Sequence, residues 1–256
     1  MKALILAAGY ATRLYPLTID RPKALLPIAG RAMLDYLVDE ICTLPDLDEI
    51  HLVSNHRFVH SFSAWAEGAR LRHPERRLII WDDRTTSDAD KKGAIGDVQF
   101  VLDQAKLDDD LLVAASDNFF TFPLLRFYEA FRANGCDTLL AARFTDRELL
   151  KRFAVATVDE RLRVTHLEEK PEEPKSDLGV YALYFYCRDT LPLIAQYLAE
   201  GNSPDAPGHF PVWLYPRREV RVYPFEGECI DIGTPQSYRE VCERFEAKPP
   251  REGTAL

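Results

Sequence analysis

The sequence predicts an α/β fold: a single Rossmann-like domain with a mostly parallel (mixed) central sheet flanked by helices, and a β-rich subregion in the second half. Short apolar, β-branched runs alternate with segments of helical periodicity through the first half, which is typical of strands joined by crossover helices. The second half instead carries apolar runs separated by short polar turns. The 256 residues, of which 46% are hydrophobic, suffice for a full-sized core.

The first half predicts strands and helices in alternation. The strands are expected at residues 2–8, 49–54, 78–81, 111–115 and 138–143. The helices are expected at residues 32–43, 58–69, 94–105 and 123–134. In the first of these helices, apolar side chains fall roughly on one face, as packing against a sheet requires. These side chains are Met33, Leu37, Ile41 and Leu44.

The second half predicts mixed strand directions. Residues 153–158 and 162–168 are separated by the polar Asp159-Glu160-Arg161, which indicates a hairpin. Further strands are expected at 180–186, 220–224 and 228–232, and helices at 189–199 and 235–246. With no linker in the chain, we expect one domain over residues 1–248. The remaining residues 249–256 are rich in Pro, Gly and charge, and we expect them to be disordered.

Composition excludes several classes of function. The formal net charge is −9, and an acidic surface repels nucleic acid backbones, so no nucleic acid partner is expected. A small phosphorylated substrate remains compatible, because a few local cations can hold it. No apolar stretch is long enough to cross a membrane. The five cysteines form no Cys-x-x-Cys pair, so we expect reduced thiols in a cytoplasmic protein.

A loop with a glycine and two cations follows the first strand. Leu6 to Leu14 contains Gly9 and Arg13, and Lys23 follows within a stretch stiffened by prolines at 16, 22 and 27. Small residues at the carboxyl end of a strand let the backbone approach a phosphate. The pattern fits neither G-x-G-x-x-G nor the Walker motif. The spacing is suited to gripping a triphosphate, although a structural loop with surface cations would look similar.

Two aspartates follow apolar strand segments. Asp117 lies just after the strand at 111–115, and Asp231 lies in Cys229-Ile230-Asp231-Ile232-Gly233. Carboxylates at strand ends are suited to holding Mg²⁺ near phosphates, because hard cations prefer oxygen ligands. The alternative for either residue is a turn or helix-capping role.

The segment from Leu6 to Pro27 reads L-A-A-G-x-A-T-R-L-x-P-L-T-x-x-x-P-K-x-L-L-P. This long, ungapped pattern resembles the signature of the sugar-1-phosphate nucleotidylyltransferases. Ala11 stands where the family usually has a second glycine, and its methyl group fits if φ stays negative there. The two aspartates resemble the family's pair of metal ligands, with Ser116 and Cys229 as departures beside them.

The resemblance implies a reaction and its cofactor. A nucleoside monophosphate would pass from a nucleoside triphosphate to a sugar 1-phosphate, with release of pyrophosphate and with Mg²⁺ held by Asp117 and Asp231. Arg13 and Lys23 would be the catalytic cations. The residues implied in nucleotide binding are Leu6, Ala7, Ala8, Gly9, Thr12, Asp83 and Gly93.

The acceptor side rests on the segment Glu168-Glu169-Lys170-Pro171. Successive residues of a strand point to opposite faces, so Glu169 and Lys170 can serve one pocket only if the strand ends there. The segment resembles the family's E-K-P motif, which implies that Glu169 holds sugar hydroxyls and Lys170 holds the sugar phosphate. The strand at 178–185 resembles the family's sugar-pocket strand, so the β-rich subregion would bind the sugar. There Tyr181 and Ala182 replace the frequent Thr and Gly, and Ala182 is a candidate substrate contact.

Two alternatives stay open. The chain could be a cytidylyltransferase acting on a phosphorylated alcohol such as phosphocholine, because that reaction would use the same triphosphate loop. It could also be a regulatory protein that binds a sugar nucleotide without turnover. The sequence fixes neither the base nor the sugar, and a homo-oligomer is compatible with it.

Overall fold

The computed structural model describes residues 1–120, 122–227 and 229–247, with the backbone only at 229, 231, 246 and 247. The strands are β1 (Lys2–Leu6), β2 (Pro27–Ile28), β3 (Arg31–Ala32), β4 (Glu49–Ser54), β5 (Arg77–Asp82), β6 (Leu111–Ala115), β7 (Asn118–Phe120), β8 (Asp137–Arg143), β9 (Ala154–Val158), β10 (Val164–Glu169), β11 (Leu178–Tyr186), β12 (Val220–Pro224) and β13 (Cys229–Asp231). The helices are α1 (Met33–Cys42), α2 (Val59–Arg72), α3 (Ala94–Ala105), α4 (Leu124–Asn134), α5 (Arg147–Leu150), α6 (Pro192–Ala199), α7 (His209–Leu214) and α8 (Pro235–Ala247).

Within the described residues, nine strands form one mixed sheet. Its main order is β10-β9-β11-β6-β1-β4-β5, and β8 pairs with β11 and β12. β1 runs parallel to its two neighbours, β4 and β6, and β4 runs parallel to β5. The long β11 is antiparallel to β6, β8 and β9, and β9 and β10 form the antiparallel hairpin that the sequence predicts. The α/β class with a mixed, mostly parallel sheet is therefore confirmed.

The sheet separates two apolar layers. Ala3 and Ile5 of β1 belong to one cluster of buried side chains, and Leu4 belongs to the other. Because successive strand residues point to opposite faces, these clusters lie on opposite sides of the sheet. Helices cover both layers: α1 buries Leu34 and Leu37 in the first, and α3 buries Val101 in the second. This burial is the main stabilising contribution to the fold.

The register of the parallel strands brings the site together. Leu6 at the end of β1 pairs with Ala115 at the end of β6, and both strands run in the same direction. The loops that follow them, which begin with Ala7 and Ser116, therefore leave the sheet at the same edge. Pairing of β11 with β6 through Leu183 and Ala114 brings the middle of β11 to this edge as well.

The bounds of some elements differ from the sequence prediction. β1 ends at Leu6 instead of residue 8: Ala7 still donates its N–H to the Val53 carbonyl, and the chain then turns into the loop. The helix expected at 189–199 begins as a 3₁₀ turn over Arg188–Thr190 and becomes α-helical at Pro192, which has no N–H to donate. The short α5, α7, β2, β3 and β7 were not predicted. The end of the expected domain at 248 and the tail 249–256 lie outside the described residues.

No helix among the residues that the structure describes is both long and apolar enough to cross a bilayer.

Candidate active site

A cleft of about 580 Å³ opens at the edge of the sheet where β1 and β6 end. Its walls come from the loop after β1, the start of α3, the loop after β6, the end of β10, the middle of β11 and the segment before α7. Most of the site residues predicted from the sequence line it: Leu6, Ala7, Ala8, Gly9, Thr12, Arg13, Lys23, Gly93, Asp117, Glu169, Lys170 and Ala182. The structure therefore brings segments far apart in sequence to one cleft.

The loop after β1 is held by local and long-range hydrogen bonds. The side-chain amide of Asn55 donates to the Ala8 carbonyl, and the Thr18 hydroxyl donates to the Ala11 carbonyl at 2.9 Å. Ala11 has φ of 48°, in the left-handed region, and precedes a 3₁₀ turn over Thr12–Leu14. The condition of a negative φ, under which the Ala11 methyl group was expected to fit, is therefore not met. The turn into Thr12–Leu14 demands the conformation that glycine adopts most easily.

Lys23 and Asp117 form an ion pair at the wall of the cleft. Lys23 begins a 3₁₀ turn just after Pro22, and its Nζ donates to Asp117 Oδ2 at 3.0 Å. The Lys23 side chain is 14% exposed and that of Asp117 40%. The pair is therefore partly desolvated yet reaches the cleft, where a ligand's phosphate could contact the ammonium group. Arg13 lines the same cleft.

The second predicted metal ligand is described only by its backbone. β13 pairs antiparallel with β7, and Asp231 lies opposite Asn118, the residue after Asp117. Because Asp117 immediately precedes Asn118, this pairing brings the backbones of the two aspartates close together. The side chain of Asp231 lies outside the described part of the chain.

The start of α3 forms the wall beside Gly93. Gly93 has φ of 79° and precedes the first turn, where Ala94 donates to the Asp205 carbonyl and Ile95 to the Pro204 carbonyl. Two of the N–H groups that a helix start leaves unpaired are thus satisfied by a distant loop. A Cβ on Gly93 would lie 2.5 Å from the Pro204 oxygen. Glycine is required here both by φ and by this close approach.

Asp83, predicted as a nucleotide contact, is not among the residues that line the cleft. It is 1% exposed and accepts hydrogen bonds from the N–H and hydroxyl of Thr85. Its partner Asp97 does line the cleft. Burial, reinforced by the charge of Asp83 and a hydrogen bond to it, raises the pKa of Asp97 to about 8. Asp97 is therefore mostly protonated at neutral pH and can donate to the Asp83 carboxylate.

Glu169 and Lys170 serve one cleft because β10 ends between them. Lys170 has φ of 47° and donates its N–H to the Phe153 carbonyl at 3.1 Å, so it leaves the pleat of the strand. Its Nζ lies 3.7 Å from Glu169 Oε1. Burial raises the pKa of Glu169, while the nearby charges of Lys170 and His209 lower it. The side chain of Glu169 is 12% exposed, so its carboxylate is held in a restricted position.

The structure adds cleft residues that the sequence did not indicate. Asn118 donates from Nδ2 to the Ala182 carbonyl at 3.2 Å, which ties the Asp117 loop to β11. Tyr184 is buried beside Glu169, and its pKa is raised well above the usual value, first by burial and then by that carboxylate. Arg152 and Gly208 also line the cleft. Of these, only Asn118 carries a sequence signal, because it adjoins an aspartate at a strand end.

Cationic side chains from different segments of the chain line the cleft, alongside carboxylates. Arg13 and Lys23 come from the segment after β1, and Lys170 follows β10 beside Glu169. Such an arrangement can bind two phosphate-bearing groups and hold them against each other, which is how proximity lowers the barrier of a group transfer.

Comparison with known proteins finds relatives that match most of the chain. A protein of Sulfolobus acidocaldarius assigned as a mannose-1-phosphate guanyltransferase is 29% identical over 241 residues, which cover 94% of this chain and 62% of that protein. A glucose-1-phosphate adenylyltransferase of Geobacillus stearothermophilus is 24% identical, covering 93% of this chain and 64% of that protein. The chain thus spans less than two thirds of the length of these relatives.

A solved structure of UDP-glucose pyrophosphorylase with UDP-glucose superimposes with a TM-score of 0.81 at 18% identity, covering 96% of this chain and 98% of that one. At this identity the likeness concerns the fold. The model of the family described as nucleotidyl transferase matches residues 2–248, and members of that family generally use a divalent metal ion. Together with the cleft at the carboxyl ends of β1 and β6, this match shows that the chain belongs to the nucleotidyl transferase family.

Proposed function

We propose that the protein transfers a nucleoside monophosphate from a nucleoside triphosphate to a sugar 1-phosphate, forming a nucleoside diphosphate sugar and pyrophosphate. The observation that carries the proposal is the single cleft that the Lys23–Asp117 pair shares with Glu169 and Lys170. A cleft of about 580 Å³ has room for a nucleotide and part of a sugar. The names of the relatives, which join a sugar 1-phosphate to a nucleotide, support the same reaction.

The reaction needs little proton transfer. The attacking atom is a phosphate oxygen of the sugar 1-phosphate, which is already anionic, and pyrophosphate leaves from the α-phosphorus. The protein's own task is then to align the two phosphates and to neutralise charge. Lys23 would contact the α-phosphate as negative charge grows on its oxygens, and Arg13 would bind the leaving pyrophosphate. Both side chains line the cleft.

A magnesium ion fits the residues at this edge of the sheet. Asp117 offers a partly exposed carboxylate at the cleft, and the backbone register sets Asp231 beside it. Mg²⁺ is typically bound by one or two carboxylates together with substrate phosphates and water, so a larger protein cluster is unnecessary. When bound between Asp117 and Asp231, it would supply positive charge to the phosphates and restrict their orientation.

The acceptor would be held by β10 and β11. Lys170, whose side chain is 58% exposed, would contact the phosphate of the sugar, and the buried carboxylate of Glu169 would accept hydrogen bonds from sugar hydroxyls. Ala182 of β11 lies on the same wall. Gly93 and the first turn of α3 would lie beside the base. The names of the three similar proteins give three different bases and two different sugars, so the proposal extends to the reaction and not to a named pair.

The test is a panel of reactions in which pyrophosphate release is measured. The purified protein is incubated with Mg²⁺, each nucleoside triphosphate in turn, and a set of sugar 1-phosphates and phosphocholine. Release that requires one triphosphate and one sugar 1-phosphate supports the proposal. Release only with CTP and phosphocholine supports a cytidylyltransferase. Tight binding of a sugar nucleotide with no release for any pair would show a regulatory protein instead.

A further inference from the structure

The segment Pro204–Gly208 contacts two parts of the cleft wall, the first turn of α3 and Glu169. At one end, the carbonyls of Pro204 and Asp205 accept hydrogen bonds from the first turn of α3, and Asp205 Oδ1 lies 3.0 Å from the Nζ of Lys91. At the other end, Gly208 lies against the carboxylate of Glu169. The segment lies between α6 and α7, about forty residues after Glu169 in the chain.

The contact at Gly208 leaves no room for a side chain. A Cβ built on Gly208 would lie 1.9 Å from Glu169 Oε2 and 2.8 Å from Glu169 Cδ. Gly208 has φ of −71°, which any residue adopts, so the backbone itself does not require glycine here. The three atoms nearest to such a Cβ all belong to the carboxyl group of Glu169. Because the clashing atoms are the end of a flexible side chain, a substitution would displace Glu169 and leave the backbone in place.

We infer that Gly208 is a positioning residue for the acceptor: its bare Cα sets where the Glu169 carboxylate lies in the cleft. The inference rests on the proposed function, in which Glu169 binds sugar hydroxyls. A displaced carboxylate would lose hydrogen bonds to the acceptor, while Arg13 and Lys23 would still bind the triphosphate. A side chain at position 208 should therefore weaken binding of the sugar 1-phosphate and leave binding of the triphosphate unchanged.

The experiment compares Gly208→Ala with Gly68→Ala under steady-state conditions. Gly68 lies within α2, and a Cβ there meets only the end of the Arg72 side chain at 3.7 Å. We expect Gly208→Ala to raise the KM for the sugar 1-phosphate about tenfold or more, the loss of a hydrogen bond to a charged group, with the KM for the triphosphate within about twofold. The urea midpoints of both variants should stay close to that of the wild type. Equal kinetics for the two variants would overturn the inference.

A double-mutant cycle with Glu169→Ala shows whether Gly208 acts through this carboxylate. Without the Glu169 side chain there is nothing to displace, so Gly208→Ala should add less than about twofold to the KM of Glu169→Ala. An undiminished effect of Gly208→Ala in that background would overturn the inference. If Gly208→Ala alone unfolds at lower urea, recovery of the midpoint in the double variant would still demonstrate the contact.

The cycle also separates this inference from the proposed function. Should Glu169→Ala leave the KM for the sugar 1-phosphate unchanged, the acceptor role of Glu169 fails, and the proposed function loses its account of the sugar. Should Glu169→Ala raise that KM while Gly208→Ala resembles Gly68→Ala, the acceptor role stands and only the positioning role of Gly208 fails.

Discussion

The two walls of the cleft are built in different ways. Within the loop after β1, the turn from Ala11 to Thr18 is closed by contacts close in sequence: Leu14 donates to the Ala11 carbonyl, and the Thr18 hydroxyl donates to the same atom. The acceptor wall is held by residues remote from one another. Lys170 donates its N–H to Phe153, and Gly208 fixes the Glu169 carboxylate.

This difference determines what each wall can tolerate. A locally closed loop keeps its shape when a distant part of the fold changes, so substitutions in it should act on the chemistry directly. A wall assembled from distant strands and loops depends on close packing between them, so its substitutions should act through displacement. The predictions below test this contrast, beginning with the largest effect.

The Lys23–Asp117 pair should give the largest loss of activity. Lys23→Ala and Asp117→Ala should each reduce kcat by about a hundredfold or more, because each removes a preorganised charge that would act on the phosphates. Both variants should remain folded, since the pair is partly exposed. Initial rates of pyrophosphate release provide the measurement, and Lys151→Ala is the control because Lys151 pairs with Glu148 one turn away in α5. Near-normal turnover in either variant would contradict the assignment.

Gly93→Ala should damage the fold more than the chemistry. Its φ of 79° and ψ of 162° suit glycine alone, and a Cβ would meet the backbone of Pro204 at 2.5 Å. We expect the free energy of unfolding to fall by about 2–4 kcal/mol in urea titrations. Gly135→Ala is the matched control, because Gly135 also has a positive φ but no atom near its Cβ position, and it should cost only about 1 kcal/mol. Equal losses would mean that the contact with Pro204 contributes nothing.

Much of the fold could be predicted from the sequence. The strands at 49–54 and 111–115 and the helix at 94–105 were placed with their observed ends. These elements carry strong apolar periodicity and lie deep in the sheet or against it, so local pattern and tertiary burial agree. The short α7 and β7 escaped prediction because three to six residues are too few to show a period, and tertiary contacts decide their conformation.

In the candidate site, too, local sequence patterns predicted some residues, and tertiary packing alone determines others. Arg13, Lys23 and Asp117 were placed by a continuous motif and a strand end, and they line the cleft. Gly208 carries no sequence signal, because its role comes from a single close approach to Glu169. Asp83 was expected beside the nucleotide but is turned toward Asp97 and Thr85, a distinction that only packing determines.

The Asp83–Asp97 pair gives a prediction about pH. The pKa of Asp97 is raised to about 8, mainly by burial and then by Asp83, whereas an unfolded chain has a value of about 3.9. Between about pH 4 and about pH 8, Asp97 is therefore protonated in the folded protein but ionised in the unfolded chain. The stability of the folded protein falls as the pH rises through this range. Asp97→Asn cannot lose such a proton, so it should flatten the dependence of stability on pH and raise the free energy of unfolding at pH 7.

Urea titrations of the wild type and of Asp97→Asn from about pH 5 to about pH 8 provide this measurement. Asp103→Asn is a suitable control, because Asp103 lies in the same helix and is exposed, where its carboxylate accepts from Gln99. Parallel curves for the wild type and Asp97→Asn would mean that Asp97 is charged in the folded protein, and that the wall beside α3 is more polar than its burial implies.

Substitutions of Ala11 should give the smallest effect, and they test the backbone conformation of the loop after β1. An L-residue in the left-handed region costs about 1–2 kcal/mol, while glycine costs about 0.4–1 kcal/mol in unfolded-chain entropy, so Ala11→Gly should raise the free energy of unfolding by about 0.5 kcal/mol. Ala11→Val should lower it by more than 1 kcal/mol, roughly, because β-branching disfavours a positive φ further. Urea unfolding of the three proteins orders them directly. If Ala11→Gly is the least stable, the turn held by Thr18 prefers a negative φ at position 11. The loop after β1 would then owe its shape to contacts with distant residues and not to its local sequence.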